Sequence, residues 1–254
     1  MFKRILVAAA FFMSAAGAAA AVNTIPPEVD LASGPKMTVI IDPAHGGGDY
    51  GSSGRGIYEK DITLKAAKIL KQKLEKASAD ISVFLTRDAD SAVKPEDRAG
   101  FANSRNGTVY ISLHCDYAPS EKTEGFEVYY YSGEALSGPA AAAEWEKVQL
   151  YHLNDSVRLA GLVNQYMLSP LIAQQGAAGQ EANDTVPLAS RGVKPAALLS
   201  LIGVNMPAVA IELGNLNNVS DAGYLKDDKM LGKIAYHIEE AIVNFLKSRS
   251  AQQQ

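Results

Sequence analysis

Short apolar runs alternate with segments of helical periodicity along most of this chain. MTVII at 37–41, ISVFLT at 81–86, VYISLH at 109–114, FEVYYY at 126–131 and AVAIEL at 208–213 are rich in β-branched and aromatic residues, and each reads as a strand. The first is uninterrupted, as expected of a buried parallel strand. Ile62, Ala66, Ile69, Leu70 and Leu74 recur at the 3.6-residue spacing of an amphipathic helix beginning at Asp61, with Lys73 the one polar residue on the stripe. KPEDRAGFANSRNG at 94–107 predicts a short helix, with Pro95 in its first turn and Gly107 as its stop. Val157, Leu159, Ala160, Val163, Tyr166 and Met167 mark another helix. Met230, Leu231, Ile234, Ile238, Ala241, Ile242 and Phe245 mark the last. The segment DPAHGGGDYGSSGRG (42–56) is too glycine-rich for a regular element, 173–190 is loop-like, and 132–154 shows no clear period. Strands alternating with helices predict an α/β single domain around a mostly parallel central sheet flanked by helices.

Composition narrows the class. The 254 residues are 47% apolar and 20% charged, which excludes a disordered chain or a collagen-like repeat. Cys115 is the single cysteine, so neither an intramolecular disulfide nor a cysteine-cluster zinc site can form. A net charge of −4 argues against nucleic acid as a partner.

The N-terminus, residues 1–21, places Lys3 and Arg4 before ILVAAAFFM and an alanine-rich stretch. That order is a secretory signal peptide, with cleavage expected after Ala20 or Ala21; the competing reading is a membrane anchor. Removing it leaves 22 basic against 28 acidic residues, a net of −6, and no second run long enough to span a bilayer. Residues 22–35 read as a linker, 36–248 as the folded domain and 249–254 as a flexible tail.

Three polar residues fall where apolar strands end: His45 after the first, His114 closing the third, and Glu212 near the end of the fifth. Ligands of open parallel sheets bind at the strands' carboxyl ends, so these three are expected to converge. A catalytic metal site needs a third protein ligand and an open position. Glu59 is the candidate, since the glycine loop can fold it back beside His45; alternatively it is a carboxylate at a helix N-terminus. The loop lacks the Gly-Lys-Ser/Thr of a Walker A motif and does not match G-x-G-x-x-G. No G-x-S-x-G accompanies His45-Gly-Gly-Gly, which argues against a serine hydrolase. His152 and His237 read as solvent-facing or partly buried. Cys115 points away from His114 on the same strand and reads as core.

These segments together resemble a known family, the zinc-dependent N-acetylmuramoyl-L-alanine amidases of bacterial cell walls, of the amidase-3 type. The resemblance is carried in order by IIDPAHGGGDYGSSG (40–54), YEKDITL (58–64), FLTRD (84–88), EDRAGFAN (96–103), YISLHCD (110–116), GFEVYYYS (125–132), RGVK (191–194) and MPAVAIELGNLNN (206–218). It implies a twisted, mostly parallel sheet, Zn2+ held by His45, Glu59 and His114, and Glu212 as the catalytic carboxylate. The implied partner is peptidoglycan or its muropeptides, cut at the amide between N-acetylmuramic acid and L-alanine. The implied location is outside the cytoplasm, in the periplasm or otherwise secreted or at the cell wall; a protein activator is left open. The competing functions are a regulator that binds peptidoglycan without cutting it and a zinc peptidase acting on another amide.

Ala44, Cys115 and Asn215 depart from the usual family pattern and bear on substrate fit. Arg191 reads equally as a contact to a substrate carboxylate or as a loop stabiliser. The chain is long at 133–154 and 173–190. The first excursion follows a strand whose end is expected to face the crevice. It therefore either covers the cleft, bringing Glu134, Glu144 or Glu146 toward the metal, or is an ordinary surface excursion.

Overall fold

The computed structural model describes residues 37–133, 140–168 and 188–252. The expected signal peptide, the linker and residues 173–187 of the second excursion lie outside the described residues.

Six strands form the central sheet in the order β4-β1-β5-β8-β6-β7. They are β1 (Met37–Pro43), β4 (Ile81–Leu85), β5 (Val109–Asp116), β6 (Phe126–Tyr130), β7 (Ser190–Pro195) and β8 (Ala208–Asn215). Strands β4, β1, β5 and β8 run parallel; β6 runs antiparallel to β8, and β7 runs parallel to β6. The expected mostly parallel α/β class is therefore what forms.

The alternation of side chains along a strand gives the sheet two unlike faces. One face presents Val39, Ile41, Ile111, Leu113, Val209, Ile211 and Val128 to the helices α1 (Glu59–Ala77), α4 (Leu153–Leu168) and α6 (Asp228–Gln252). Leu70 and Leu74 of α1 and Phe245 of α6 are fully buried there. Each such side chain contributes about 1.5–3 kcal/mol of hydrophobic burial. The other face is apolar only over part of its length, where Ile40, Tyr110, Ala208 and Ala210 pack under α2 (Pro95–Ser104) and the 197–206 segment. Further along β1, β5 and β8, the positions on this same face become Asp42, Ser112, His114 and Glu212.

Several boundaries differ from the expected ones. The glycine segment contains a two-stranded hairpin, β2 (Ser53–Gly54) with β3 (Ile57–Tyr58). Helix α1 begins at Glu59 rather than Asp61, because Glu59 and Lys60 donate their N–H groups to the carbonyls of Ser52 and Tyr50. Strand β5 continues through Asp116. Strand β7, SRGVKP, has no apolar run because it is an edge strand of intermediate exposure. Helix α6 carries on to Gln252, into the stretch expected as a flexible tail. His237, expected to face solvent or be partly buried, is 1% exposed, since α6 is flanked by α1, α4 and α5 (Val219–Lys226).

The irregular 132–154 stretch contains α3 (Ala140–Tyr151) and the start of α4. The end of β6, expected to face the crevice, lies away from it, which favours the reading of this stretch as an ordinary surface excursion. Glu127 lies opposite Glu212 and Tyr129 opposite Ala210, so β6 runs away from the Glu212 end of the sheet. Tyr131 leaves β6 at the far end, where its hydroxyl bonds Glu146 of α3 at 3.0 Å. Of the three glutamates considered there, Glu146 is thus held away from the crevice. Glu134 and the side chain of Glu144 lie outside the described residues. Among the described residues no helix is long and apolar enough to cross a membrane.

Candidate metal centre

The loop after β1 turns sharply at His45, whose φ of 60° is the left-handed region that costs a non-glycine residue energy. Two buried arginines hold the turn. Arg87 Nε donates to the carbonyl of Pro43 (2.9 Å) and Nη2 to that of Ala44 (2.9 Å). Arg98 Nη1 donates to Pro43 (2.8 Å) and Nη2 to the carbonyl of His45 itself (2.8 Å). Charged donors on several carbonyls offset the strain.

The turn brings His45 against α1. His45 Nε2 is 3.1 Å from Glu59 Oε1, and His114 Nδ1 is 3.1 Å from the same oxygen. The two rings meet edge to face with centroids 5.9 Å apart. Among the described residues, His45, Glu59 and His114 each offer a donor atom within 4.8 Å of the others. Glu59 is also fixed by two backbone donors, Ser52 N on Oε2 (2.7 Å) and Cys115 N on Oε1 (3.1 Å).

Outer partners orient both rings. His45 Nδ1 lies 2.8 Å from Asp49 Oδ2, and His114 Nε2 lies 3.0 Å from Ser112 Oγ. Gly51 closes the wall. With φ +64°, it is so placed that a Cβ would lie 2.5 Å from His45 Cδ2 and 2.6 Å from Glu59 Oε2. Only a residue without a side chain leaves this cradle open.

The charges respond to this crowding. Burial alone would raise the Glu59 carboxyl, but the two histidines hold it well below the usual carboxylate range. Hydrogen bonding to Glu59 pushes His45 up to about 9. Burial disfavours a charged His114, yet Glu59 and Glu212 together raise it. A buried carboxylate and two imidazoles sharing one point are a donor set suited to a divalent cation such as zinc.

Glu212 stands beside this set. It is the register partner of His114 on the neighbouring strand, so both side chains share one sheet face. Burial pushes its carboxyl up to about 7, and its Oε2 is buried without a hydrogen-bond partner in this structure. All four residues singled out from the sequence are thus brought to one crevice.

Arg191 is held by Asp116 (2.8 Å), the carbonyl of Gly125 (3.2 Å) and Glu127 (3.4 Å), contacts that tie the β7 edge to the end of β5. These fit its reading as a loop stabiliser. Asn215, the departure next to the site, bonds the carbonyl of Thr123 and the N–H of Ala118, anchoring the loop after β5. Cys115 is 1% exposed on the opposite face, with its thiol pushed up by burial, as a core residue should be. Asp42, Ser112, Arg87 and Arg98 were not singled out from the sequence, although the motifs contain them. The signal for Asp42, Ser112 and Arg87 is a charged or hydroxyl side chain inside or just after an apolar strand; Arg98, on α2, gives no such signal.

The family model for N-acetylmuramoyl-L-alanine amidase, of the amidase-3 type, matches residues 39–244. The endolysin of Bacillus phage SPP1 is 31% identical over 208 residues, covering 82% of this chain and 65% of that protein. The sporulation-specific N-acetylmuramoyl-L-alanine amidase of Bacillus subtilis strain 168 is 29% identical over 199 residues, covering 78% of this chain and 64% of that protein. The chain therefore spans less than two thirds of the length of these curated relatives. Among solved structures, the N-acetylmuramoyl-L-alanine amidase of Clostridium difficile 630 superposes with a TM-score of 0.68 at 28% identity. That match covers 85% of this chain and 99% of that one.

Proposed function

The chain belongs to the N-acetylmuramoyl-L-alanine amidase family, and from that premise we propose that it hydrolyses the amide joining N-acetylmuramic acid to the L-alanine of the peptidoglycan stem peptide. The observation that carries the reading is the side-by-side placement of Glu212 with the His45, Glu59 and His114 donor set. His45 through Nε2, His114 through Nδ1 and Glu59 through Oε1 would hold one Zn2+. Two imidazole nitrogens and a carboxylate oxygen within 4.8 Å of one another fit such an ion.

Bound there, zinc supplies Lewis-acid polarisation of the amide carbonyl and lowers the pKa of water from 15.7 toward about 7. Glu212 takes the proton of the attacking water and returns it to the leaving amine. Burial on an apolar strand raises its carboxyl above the ordinary carboxylate range, which suits that shuttle. His45 and His114 stay neutral as ligands, with their outer nitrogens facing Asp49 and Ser112.

The basic, apolar and small-residue order of residues 1–21 supports export, with the periplasm as the place of action. Muropeptides of defined composition, incubated with zinc-loaded protein and analysed by mass spectrometry, test the bond assignment. Release of stem peptides bearing a free L-alanine amino group is the expected result. New ends inside the peptide point instead to a peptidase, and intact muropeptides contradict the enzyme reading.

A further inference from the structure

Ser112 is fully buried and links the metal-site residue His114 to Asp42, a buried carboxylate that the mechanism does not use. Its Oγ is 2.8 Å from Asp42 Oδ2 and 3.0 Å from His114 Nε2. Asp42 is also fully buried. It receives Arg98 Nη1 at 2.6 Å and the hydroxyl of Thr86 on its other oxygen, a constellation that keeps it ionised.

Hydrogen-bond bookkeeping then leaves one arrangement. A carboxylate only accepts, and a serine hydroxyl has one proton to give. Ser112 donates that proton to Asp42, so toward His114 it can only accept. His114 must therefore carry its hydrogen on Nε2. The lone pair of the neutral ring is left on Nδ1, the atom that faces Glu59 Oε1.

We infer that Asp42, acting through Ser112, is a positioning residue that fixes the tautomer and ring orientation of His114, presenting Nδ1 to the metal. Arg98 extends the device, since the guanidinium that pairs with Asp42 also donates to the backbone carbonyl of His45. One buried ion pair thus braces both histidines from behind. His45 has a looser counterpart, because its own partner, Asp49, is 65% exposed. This inference rests on the metal-site reading above but not on the identity of the substrate.

The test uses the full chain loaded with zinc. Ring-nitrogen NMR of the wild type should show His114 ligated through Nδ1, with a slowly exchanging proton on Nε2. Zinc affinity, measured by competition with a chromophoric chelator, should fall about 10–100-fold in Ser112→Ala, the usual cost of losing an outer-shell partner. Ser112→Thr, which keeps the hydroxyl, should retain most of the affinity. Ligation of wild-type His114 through Nε2 overturns the inference, whether or not the alanine variant folds. So does a folded Ser112→Ala that binds zinc as tightly as the wild type, or an equal loss in the alanine and threonine variants. A wild type that binds no zinc overturns this inference and the metal site together. Zinc binding with the expected NMR signature but no muropeptide cleavage upholds the inference and removes the amidase reading.

Discussion

Glu212 and His114 are register partners on adjacent parallel strands, so their side chains leave the same face of the sheet next to each other. The sheet therefore sets the spacing between proton acceptor and metal ligand through backbone hydrogen bonds, the stiffest element available. Loops supply only His45 and the entry to α1, and those loops are braced by Arg87 and Arg98.

Metal loss and loss of function should coincide at His114. The wild type is expected to carry about one zinc per chain, as a single three-ligand catalytic site requires. His114→Ala should carry almost none and show no amidase turnover. Metal analysis of the purified variant checks this, and full zinc occupancy would sink the ligand assignment.

The Gly51 cradle predicts a second, steric route to the same defect. Gly51→Ala places a methyl against His45 and Glu59 and forces a left-handed alanine, at about 1–2 kcal/mol. Zinc affinity should fall by at least about 10-fold, comparable to loss of an outer-shell partner. Gly48→Ala is the control, because a methyl there would meet nothing within 4 Å. Equal affinities in the two variants would contradict the cradle.

Helix α3 should be irrelevant to the chemistry. Glu146 bonds Tyr131 at the end of the sheet away from His45 and His114. Glu146→Gln is expected to leave zinc affinity and turnover on sacculi unchanged. A rise in turnover would restore the idea of an inhibitory glutamate in this segment.

Glu239 gives the fold a pH dependence separate from the metal. Burial on α6, reinforced by Glu240, pushes its carboxyl up to about 7. A carboxyl raised on folding favours the folded state while protonated, so this contribution is full below its ordinary value of 4.5 and is lost as pH rises through about 7. Glu239→Gln should therefore raise the Tm at pH 8 and leave it nearly unchanged at pH 4. Thermal melts of the metal-free protein at the two pH values decide it, and an equal shift at both contradicts the burial account.

Much of this was legible from the pattern of residues. The five apolar strands and the helices starting near residues 61, 94, 157 and 230 are local signals, and burial rewards them directly. His45, His114 and Glu212 were visible because each interrupts or ends an apolar run. Strand direction was not visible. FEVYYY reads the same whether it runs with or against its neighbour, and that ambiguity left open whether the 133–154 segment covers the cleft. Strand β7 escaped because an edge strand needs no apolar run. The supporting layer of Asp42, Ser112 and Arg98 escaped because its partners are 56 to 70 residues apart and meet only through the sheet.

The most direct measurement is the turnover of zinc-loaded Glu212→Gln on purified sacculi, beside its melting temperature and zinc content. The substitution keeps the shape and removes the proton acceptor. Glu212 acting as general base predicts a folded, fully zinc-loaded variant that still binds peptidoglycan fragments, with turnover reduced by roughly 10²–10⁴-fold. Near-normal turnover from that same folded, zinc-loaded variant would contradict the account and assign the proton to another group.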